Sequence, residues 1–145
     1  LSPSFLTQGA NKSSLTLNLD SKEGQAIFLK LASTADVIVE NLRTGSMEKR
    51  NIGYEQVCKV KPDIIYCSMT GYGQTGPKSN YPAYDSVIQA AAGFMSITGT
   101  PESGPLKSGP PVVDYAMGMS GAYAIQQHYF RGHVTALVST LIFQC

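Results

Sequence analysis

The stretch IIYCSMTGYGQTGP, Ile64 to Pro77, decides the fold of this 145-residue chain. Its first part, Ile64–Met69, is an apolar run of the kind that fills a buried parallel strand. Its second part is so rich in glycine that a loop is predicted over Thr70–Pro82. Because open α/β sheets bind ligands beyond the carboxyl ends of their strands, this loop is the expected position of a binding site.

A strand and a helix are predicted near the start of the chain. Leu15–Leu19 alternates apolar and polar residues, which is the period of a half-buried strand. Asp20 follows as the expected N-cap of a helix, and Glu23 three residues later completes a capping-box pattern. The helix is predicted to continue to about Thr34.

The same order then repeats between that helix and the glycine-rich loop. Asp36–Glu40 is a short β-branched run typical of a parallel strand. A short helical turn is predicted around Ser46–Arg50 and a helix around Tyr54–Val60. With Ile64–Met69 as a further strand, this order predicts an α/β fold in which helices flank an open, mainly parallel sheet.

Two helices and a second loop are predicted downstream. A helix rich in small residues should run from Asp85 to about Ser96. Thr98–Pro111 is again rich in glycine and proline and is predicted to be a loop. The last helix is predicted over Tyr115–Tyr129, with Asp114 at its start.

Charge and composition exclude several classes of function. The net charge is +1, without the basic surface expected of a nucleic-acid-binding protein. No apolar run reaches the length of a membrane span, and no signal peptide is recognised, so a cytoplasmic location is expected, or a mitochondrial one in a eukaryote. No metal site is expected, because the cysteines and histidines lack the spacing of metal ligands: Cys58, Cys67, Cys145, His128 and His133.

Asp114 is the acidic residue of greatest interest, in the segment GPPVVDYAMG from Gly109 to Gly118. A carboxylate after an extended apolar dipeptide is costly unless hydrogen bonds or the start of a helix stabilise it. One interpretation is an ordinary helix N-cap. The other is a reactive carboxylate at the edge of a ligand site.

The sequence resembles the class III coenzyme A (CoA) transferases, the family of formyl-CoA transferase, carnitine dehydratase and acyl-CoA racemase. The resemblance runs in order from about Gln8 to Tyr129 and is carried by Asn11–Leu15, Asp36–Asn41, Gly53–Glu55, Tyr66–Pro77, Ala83–Asp85, Gln89, Ala90, Gly93, Thr98, Gly99 and Asp114. It implies an incomplete Rossmann-like CoA-transferase large domain over residues 1–130. Residues 131–145 are an atypical C-terminal tail, and the family's first strand–helix unit and C-terminal part are not found.

The resemblance also implies a reaction and a set of site residues. It implies transfer of CoA from an acyl-CoA donor to a carboxylic acid through an aspartyl-CoA thioester on Asp114, with CoA as a substrate and no permanently bound cofactor. The residues implied to contact CoA are Leu17, Asn41, Leu42, Arg43, Ser46, Lys49, Thr70, Gly71 and Tyr84. Leu17 could equally be a core residue, and Lys49 a solvated lysine.

Tyr84 distinguishes between branches of the family. In the racemase branch a histidine at this position exchanges the α-proton together with the aspartate. A phenol titrates near pH ~10 and is a poor proton shuttle at neutral pH, so Tyr84 favours transfer over a racemase or dehydratase reaction. The Tyr66–Pro77 motif resembles members that use succinyl-CoA and dicarboxylates, whose acceptor would need a cation such as Arg43, Lys78 or Lys107.

Two further expectations follow from the resemblance. Family members form interlocked homodimers, so a homodimer is expected of a full-length member. Because the chain lacks parts of the family's sequence, a catalytically incompetent fragment that only binds its ligand is the alternative to an active enzyme. The expected partners are therefore an acyl-CoA, a small carboxylic acid and a second copy of the chain, without nucleic acid or membrane.

Overall fold

A computed structural model describes residues 2–132 and 141–144 of the chain. These residues form both helices and strands, and they include a 3₁₀ helix at Phe94–Ile97. The elements in chain order are α1 (Pro3–Gln8), α2 (Lys22–Ala32), β1 (Val37–Glu40), α3 (Ser46–Lys49), α4 (Tyr54–Val60), β2 (Ile65–Thr70), α5 (Asp85–Ala91), β3 (Gly99–Thr100), β4 (Gly104–Pro105), α6 (Val112–Gly132) and β5 (Leu141–Gln144).

The principal sheet is parallel and open, and helices flank it, which confirms the predicted fold class. Its strand order is β1-β2-β5, and both neighbouring pairs are parallel. Val37 pairs with Ile65, and Cys67 pairs with Leu141. β5 lies within the predicted tail at 131–145, of which residues 133–140 and 145 are outside the described residues.

The core lies between one face of the sheet and two helices. Ala32 of α2, Val57 of α4, and Ile64 and Tyr66 at β2 are at most 3% exposed and pack together. Cys67 is also fully buried. Its Sγ lies 3.7 Å from the position that a Cβ on Gly121 would occupy, so α6 packs close to this side chain. Because successive strand residues point to opposite faces, α6 covers the face of β2 opposite to α4.

The contribution of the core can be tested in α4, which carries one buried and one exposed valine. Val57 is 0% exposed and Val60 is 42% exposed. We expect Val57→Ala to lower the free energy of unfolding by about 2 kcal/mol, through lost apolar burial and the cavity left behind. Val60→Ala is the matched control and should change it by less than about 0.5 kcal/mol. Urea denaturation measures both, and equal losses would contradict this account of the core.

The predicted strand at Leu15–Leu19 is wrong. Alternation of apolar and polar residues predicts one buried and one solvent-exposed face, but a strand also needs a neighbouring strand as hydrogen-bond partner. The described sheets do not include this segment. The chain turns instead, because Asn18 accepts hydrogen bonds from the amide of Asp20 through Oδ1 and from the hydroxyl of Ser21 through its carbonyl.

The predicted N-cap of α2 is also wrong by one residue. Ser21 is the cap, and its Oγ accepts the amide of Gly24 at 3.0 Å. The carboxylate of Asp20 instead accepts Arg50 Nε at 2.7 Å. With Ser21 as cap, Glu23 occupies the second helical position rather than the third, so the capping box is not formed.

Other boundaries differ for local reasons. The bounds of α4 agree with the prediction, and those of β1, α3 and β2 differ by one residue. The predicted helix to Ser96 ends at Ala91 because Gly93 has φ +79°, a left-handed conformation that terminates an α-helix. The predicted loop Thr98–Pro111 contains the small antiparallel pair β3–β4, and α6 begins at Val112 rather than Tyr115.

Candidate functional site

A polar cleft of about 700 Å³ opens where β1 and β2 end. It is lined by Asn41, Leu42, Arg43, Thr44, Ser46, Lys49, Thr70, Gly71, Tyr72, Ser79, Asn80, Tyr81, Pro82, Ala83, Tyr84 and Asp114. The cleft therefore combines Asp114 with every residue that the sequence predicted for CoA contact, except Leu17. Its position agrees with the rule that open parallel sheets place ligands at the carboxyl ends of their strands.

Hydrogen bonds join the segment after β1 to β2 and its loop. The Asn41 side-chain amide donates to the carbonyl of Met69 in β2. Glu40 accepts the amide of Leu42 at 2.7 Å, which turns the chain out of the strand. The Thr44 hydroxyl donates to the carbonyl of Gly73 at 3.4 Å. These hydrogen bonds hold the segment after β1 against β2 and the glycine-rich loop.

Glycines make the loop after β2 possible for two different reasons. Gly73 and Gly76 have φ of 77° and 93°, which residues with side chains rarely adopt. Gly71 is required by space, because a Cβ there would lie 2.4 Å from the Cβ of Ala83 and 2.9 Å from Ile88 Cδ1. The loop therefore lies directly against α5 and the residue that precedes Tyr84.

Substitution of Gly71 tests this close packing. We expect Gly71→Ala to lower the free energy of unfolding by about 1–3 kcal/mol, because the new methyl group overlaps Ala83 and displaces the cleft floor. The affinity for CoA, measured by isothermal titration calorimetry, should fall as well. Gly109→Ala is the control, since a Cβ there meets nothing within 4 Å. Equal behaviour of the two variants would show that the loop tolerates displacement.

Asp114 lies in the first turn of α6, at its third residue. Asp85, at the start of α5, caps this helix from outside: its Oδ2 accepts the amides of Val113 at 2.8 Å and Asp114 at 3.1 Å. The amides of Val112 and Tyr115 donate to the carbonyls of Pro110 and Pro111. All four amides at the helix start therefore have acceptors.

The interpretation of Asp114 as an ordinary N-cap is therefore wrong, because Asp85 caps the helix. Within the described residues, no hydrogen bond holds the carboxylate of Asp114, which lines the cleft. Partial desolvation raises the pKa of the Asp114 carboxyl above its ordinary value, and the negative charge of Asp85 raises it further. An unpaired carboxylate with a raised pKa is a better nucleophile than a tightly paired one.

The cationic side chains near the cleft differ in whether they line it. Arg43 and Lys49 line the cleft. Arg50 is paired with Asp20, Lys78 lies 5.8 Å from the centre of the Tyr72 ring, and Lys107 donates to the carbonyl of Ser108. Of the three cations predicted for an acceptor carboxylate, Arg43 is therefore the one that lines the cleft.

Comparison with known proteins identifies the family of the chain. The sequence model of CoA-transferase family III matches residues 1–136. The chain belongs to CoA-transferase family III. It is 42% identical over 115 residues to the succinate–glutarate CoA-transferase of Agrobacterium fabrum and 40% identical over 131 residues to the human succinyl-CoA:glutarate CoA-transferase. These matches cover 79% and 90% of this chain and 29% and 30% of the relatives.

Comparison with solved structures finds the same fold. A CaiB/BaiF family protein from Brucella suis superposes with a TM-score of 0.86 at 34% identity. The match covers 90% of this chain and 35% of that protein. The chain thus spans about a third of the length of the solved relative, as it does of the curated ones.

Leu17 is the one predicted CoA contact of this family III chain that does not line the cleft. It lines a neighbouring pocket of about 440 Å³, together with Leu42, Arg43 and Ser46, which also line the cleft. The two pockets therefore adjoin at the segment after β1. Leu17 lies in a segment without regular structure, so it is not a core strand residue.

A larger cavity of about 1040 Å³ lies between α5, the 3₁₀ helix and the start of α6. Its lining is mostly apolar and contains no charged side chain among the described residues: Ile88, Ala92, Gly93, Phe94, Ser96, Ile97, Val112, Val113, Ala116, Met117 and Ser120. A ligand with phosphate groups needs cationic partners, so the polar cleft suits a CoA-transferase substrate better.

The contact of Asp85 with the start of α6 is the feature of the site that sequence reasoning missed. The sequence placed Asp85 in the family motif Ala83–Asp85 and at the start of a helix, but did not assign it a site role. Its contact with α6 joins residues 28 and 29 positions apart, which no local pattern reveals. Within the described part of the chain, no cluster of three potential metal-ligating residues is present, and no helix has the length and hydropathy needed to cross a membrane.

Proposed function

We propose that this chain carries the nucleophile and the CoA-binding cleft of a dicarboxylate CoA-transferase. The single observation that carries the proposal is the position of Asp114. Its unpaired carboxylate lines the same cleft as Arg43 and Lys49, which can bind the phosphate groups of CoA. The proposed CoA contacts are Asn41, Leu42, Arg43, Ser46, Lys49, Thr70, Gly71 and Tyr84, with Leu17 at the edge of the adjoining pocket.

The reaction proceeds through two mixed anhydrides. The Asp114 carboxylate attacks the thioester carbonyl of the donor, forming a C–O bond and releasing CoA thiolate. The thiolate attacks the Asp114 carbonyl, releases the donor carboxylate and leaves an aspartyl-CoA thioester. The acceptor carboxylate repeats the sequence in reverse, which forms the new acyl-CoA and regenerates Asp114. No net proton or electron is transferred, and the cycle uses no cofactor besides CoA itself.

We propose succinyl-CoA as donor and a short dicarboxylate as acceptor. Two similar proteins are named for CoA transfer between succinate or succinyl-CoA and glutarate. A third, the acetyl-CoA:oxalate CoA-transferase of Acetobacter aceti, is 44% identical over 106 residues and is also named for a dicarboxylate. Of the three cations predicted for an acceptor, Arg43 lines the cleft, and we propose that it binds the second carboxylate of such an acceptor.

Tyr84 supports transfer over racemisation. It is 73% exposed, it lines the cleft, and it directly precedes Asp85 in the chain. The racemase branch of the family that the sequence resembles uses a histidine at this position for α-proton exchange, and this chain has a tyrosine there instead. A racemase or dehydratase reaction is therefore the weaker assignment for this chain.

A second candidate function, ligand binding without turnover, is favoured by one observation. The chain spans 29% and 30% of the two relatives named for succinate or succinyl-CoA, so most of the length of each relative lies outside the match. An interlocked homodimer and a cytoplasmic location remain predictions for the whole protein.

The two candidates are separated by an assay of two proteins. The first is the 145-residue chain, and the second is a chimera in which residues 2–132 replace the matching segment of the Agrobacterium fabrum relative. Each is incubated with succinyl-CoA and isotopically labelled glutarate, and labelled glutaryl-CoA is measured by mass spectrometry. Transfer by the chain supports the enzyme, and transfer by the chimera alone supports the binding-only fragment. Failure of both, in folded proteins that bind CoA, would overturn the proposed chemistry.

A further inference from the structure

Gln89 is the most completely buried polar side chain near the cleft. It lies one turn after Asp85 in α5 and is 1% exposed. Burying an amide is costly unless its donors and acceptor are satisfied. Gln89 meets this requirement with partners on both sides, although it does not line the cleft itself.

The partners of Gln89 are the residues that fix the start of α6. Its Nε2 donates to Asp85 Oδ1 and, at 2.9 Å, to Ser108 Oγ. Its Oε1 accepts the amide of Ser108 at 2.9 Å. An ionised carboxylate only accepts hydrogen bonds, so the Nε2 donor of Gln89 must face Asp85. This orientation of the amide group turns Oε1 of Gln89 towards Ser108.

Each partner of Gln89 acts on Asp114 through the backbone. Asp85 uses its other oxygen to accept the amides of Val113 and Asp114. Ser108 donates its hydroxyl to the carbonyl of Pro110 at 2.6 Å, and that carbonyl also accepts the amide of Val112. The side chain of Gln89 thus restrains both the residue that caps α6 and the segment that leads into it.

We propose that Gln89 is a positioning residue for the Asp114 nucleophile. Its amide fixes the rotamer of Asp85 and the path of Ser108–Pro110, and together these fix the first turn of α6. Because attack on a thioester requires close alignment, a displacement of about 1 Å at the nucleophile can cost roughly a hundredfold in rate. This inference rests on the proposed function, in which Asp114 attacks the donor thioester.

The test uses Gln89→Met, which replaces the amide by an apolar side chain of similar length, and Val87→Ala as the control. Val87 is on the same helix, is 39% exposed, and its side chain is not part of the hydrogen-bond network. Two readouts are taken on the 145-residue chain and the chimera: hydrogen exchange of the Val113 and Asp114 amides by NMR, and kcat and KM for transfer from succinyl-CoA to glutarate. Rates are expressed per folded molecule.

We expect Gln89→Met to accelerate exchange at both amides and to lower kcat roughly 10- to 100-fold, with KM for succinyl-CoA changed less than about twofold. Val87→Ala should change neither. A kcat equal to that of the parent overturns the positioning role, whether or not exchange is faster. Should Gln89→Met not fold, Gln89→Glu, which keeps the acceptor for Ser108 but removes the donor to Asp85, must show the same loss of kcat.

The two failures are distinguishable. If neither parent protein transfers CoA, the proposed function fails and the positioning role fails with it. If the parents transfer CoA and the Gln89 variants do so at the parental rate, the inference alone is overturned.

Discussion

Asp114→Asn is expected to reduce CoA transfer by at least about a thousandfold while leaving CoA binding unchanged. An amide oxygen is too weak a nucleophile to attack a thioester, so neither the mixed anhydride nor the aspartyl-CoA thioester can form. The variant keeps the backbone amides that donate to Asp85, so the start of α6 should be preserved. Transfer is measured with succinyl-CoA and labelled glutarate, and binding by calorimetry.

The pH dependence of stability provides the control for this variant. The pKa of Asp114 is raised, first by desolvation and then by Asp85, so its ionisation is disfavoured in the folded state. The free energy of unfolding therefore decreases as the pH rises from the ordinary pKa of an aspartate to the raised pKa of Asp114 in the folded protein. The variant cannot ionise there, so it should match the parent below pH ~4 and be at least as stable near pH ~7. A large loss of stability would instead assign the lost activity to misfolding.

Asp85→Ala is expected to have the second largest effect. It removes the acceptor of the Val113 and Asp114 amides and of the Gln89 side chain. Loss of this external cap should lower the free energy of unfolding by about 1–3 kcal/mol. Because the first turn of α6 is then less well fixed, transfer should fall roughly 10- to 100-fold. Urea denaturation and steady-state kinetics measure the two effects.

Asp85→Asn separates charge from capping. It removes the negative charge beside Asp114 but keeps a side-chain oxygen, so the pKa of Asp114 should fall only in part, since desolvation is the larger cause of its increase. In the proposed mechanism Asp114 must be ionised, so the transfer rate should rise as the pH increases through that pKa, and in Asp85→Asn this rise should move to lower pH. Glu55→Gln, a charge removal at an exposed position of α4, is the control. A shift to higher pH in Asp85→Asn would contradict the electrostatic account.

The fold was predictable where sequence pattern and local structure coincide. The helix Tyr54–Val60 has the predicted bounds, and both predicted parallel strands at Asp36–Glu40 and Ile64–Met69 are present within one residue. Leu15–Leu19 failed because alternation does not supply a pairing partner. The helix after Asp85 was predicted too long because the left-handed conformation of Gly93 overrides the helical pattern of the residues beyond it.

The segments that form the candidate site could be predicted from the sequence, but the hydrogen bonds that connect them could not. Strand and glycine patterns predicted a ligand loop at Thr70–Pro82, and the family resemblance implied contacts after β1 such as Asn41 and Arg43. The structure combines residues of both segments with Asp114 in one cleft. The role of Asp85 could not be read from the sequence, because it depends on contacts between helices that are distant along the chain. Contacts of this kind become visible only when the two helix starts are placed in space.

The central claim is tested most directly by trapping the thioester on Asp114. The chain and the chimera are incubated with succinyl-CoA, treated with hydroxylamine and digested, and the peptides are examined by mass spectrometry. The account predicts a hydroxamate on Asp114 and none on Asp85 or in the Asp114→Asn variant. An unmodified Asp114 in a protein that transfers CoA, or a hydroxamate on another residue, would contradict it.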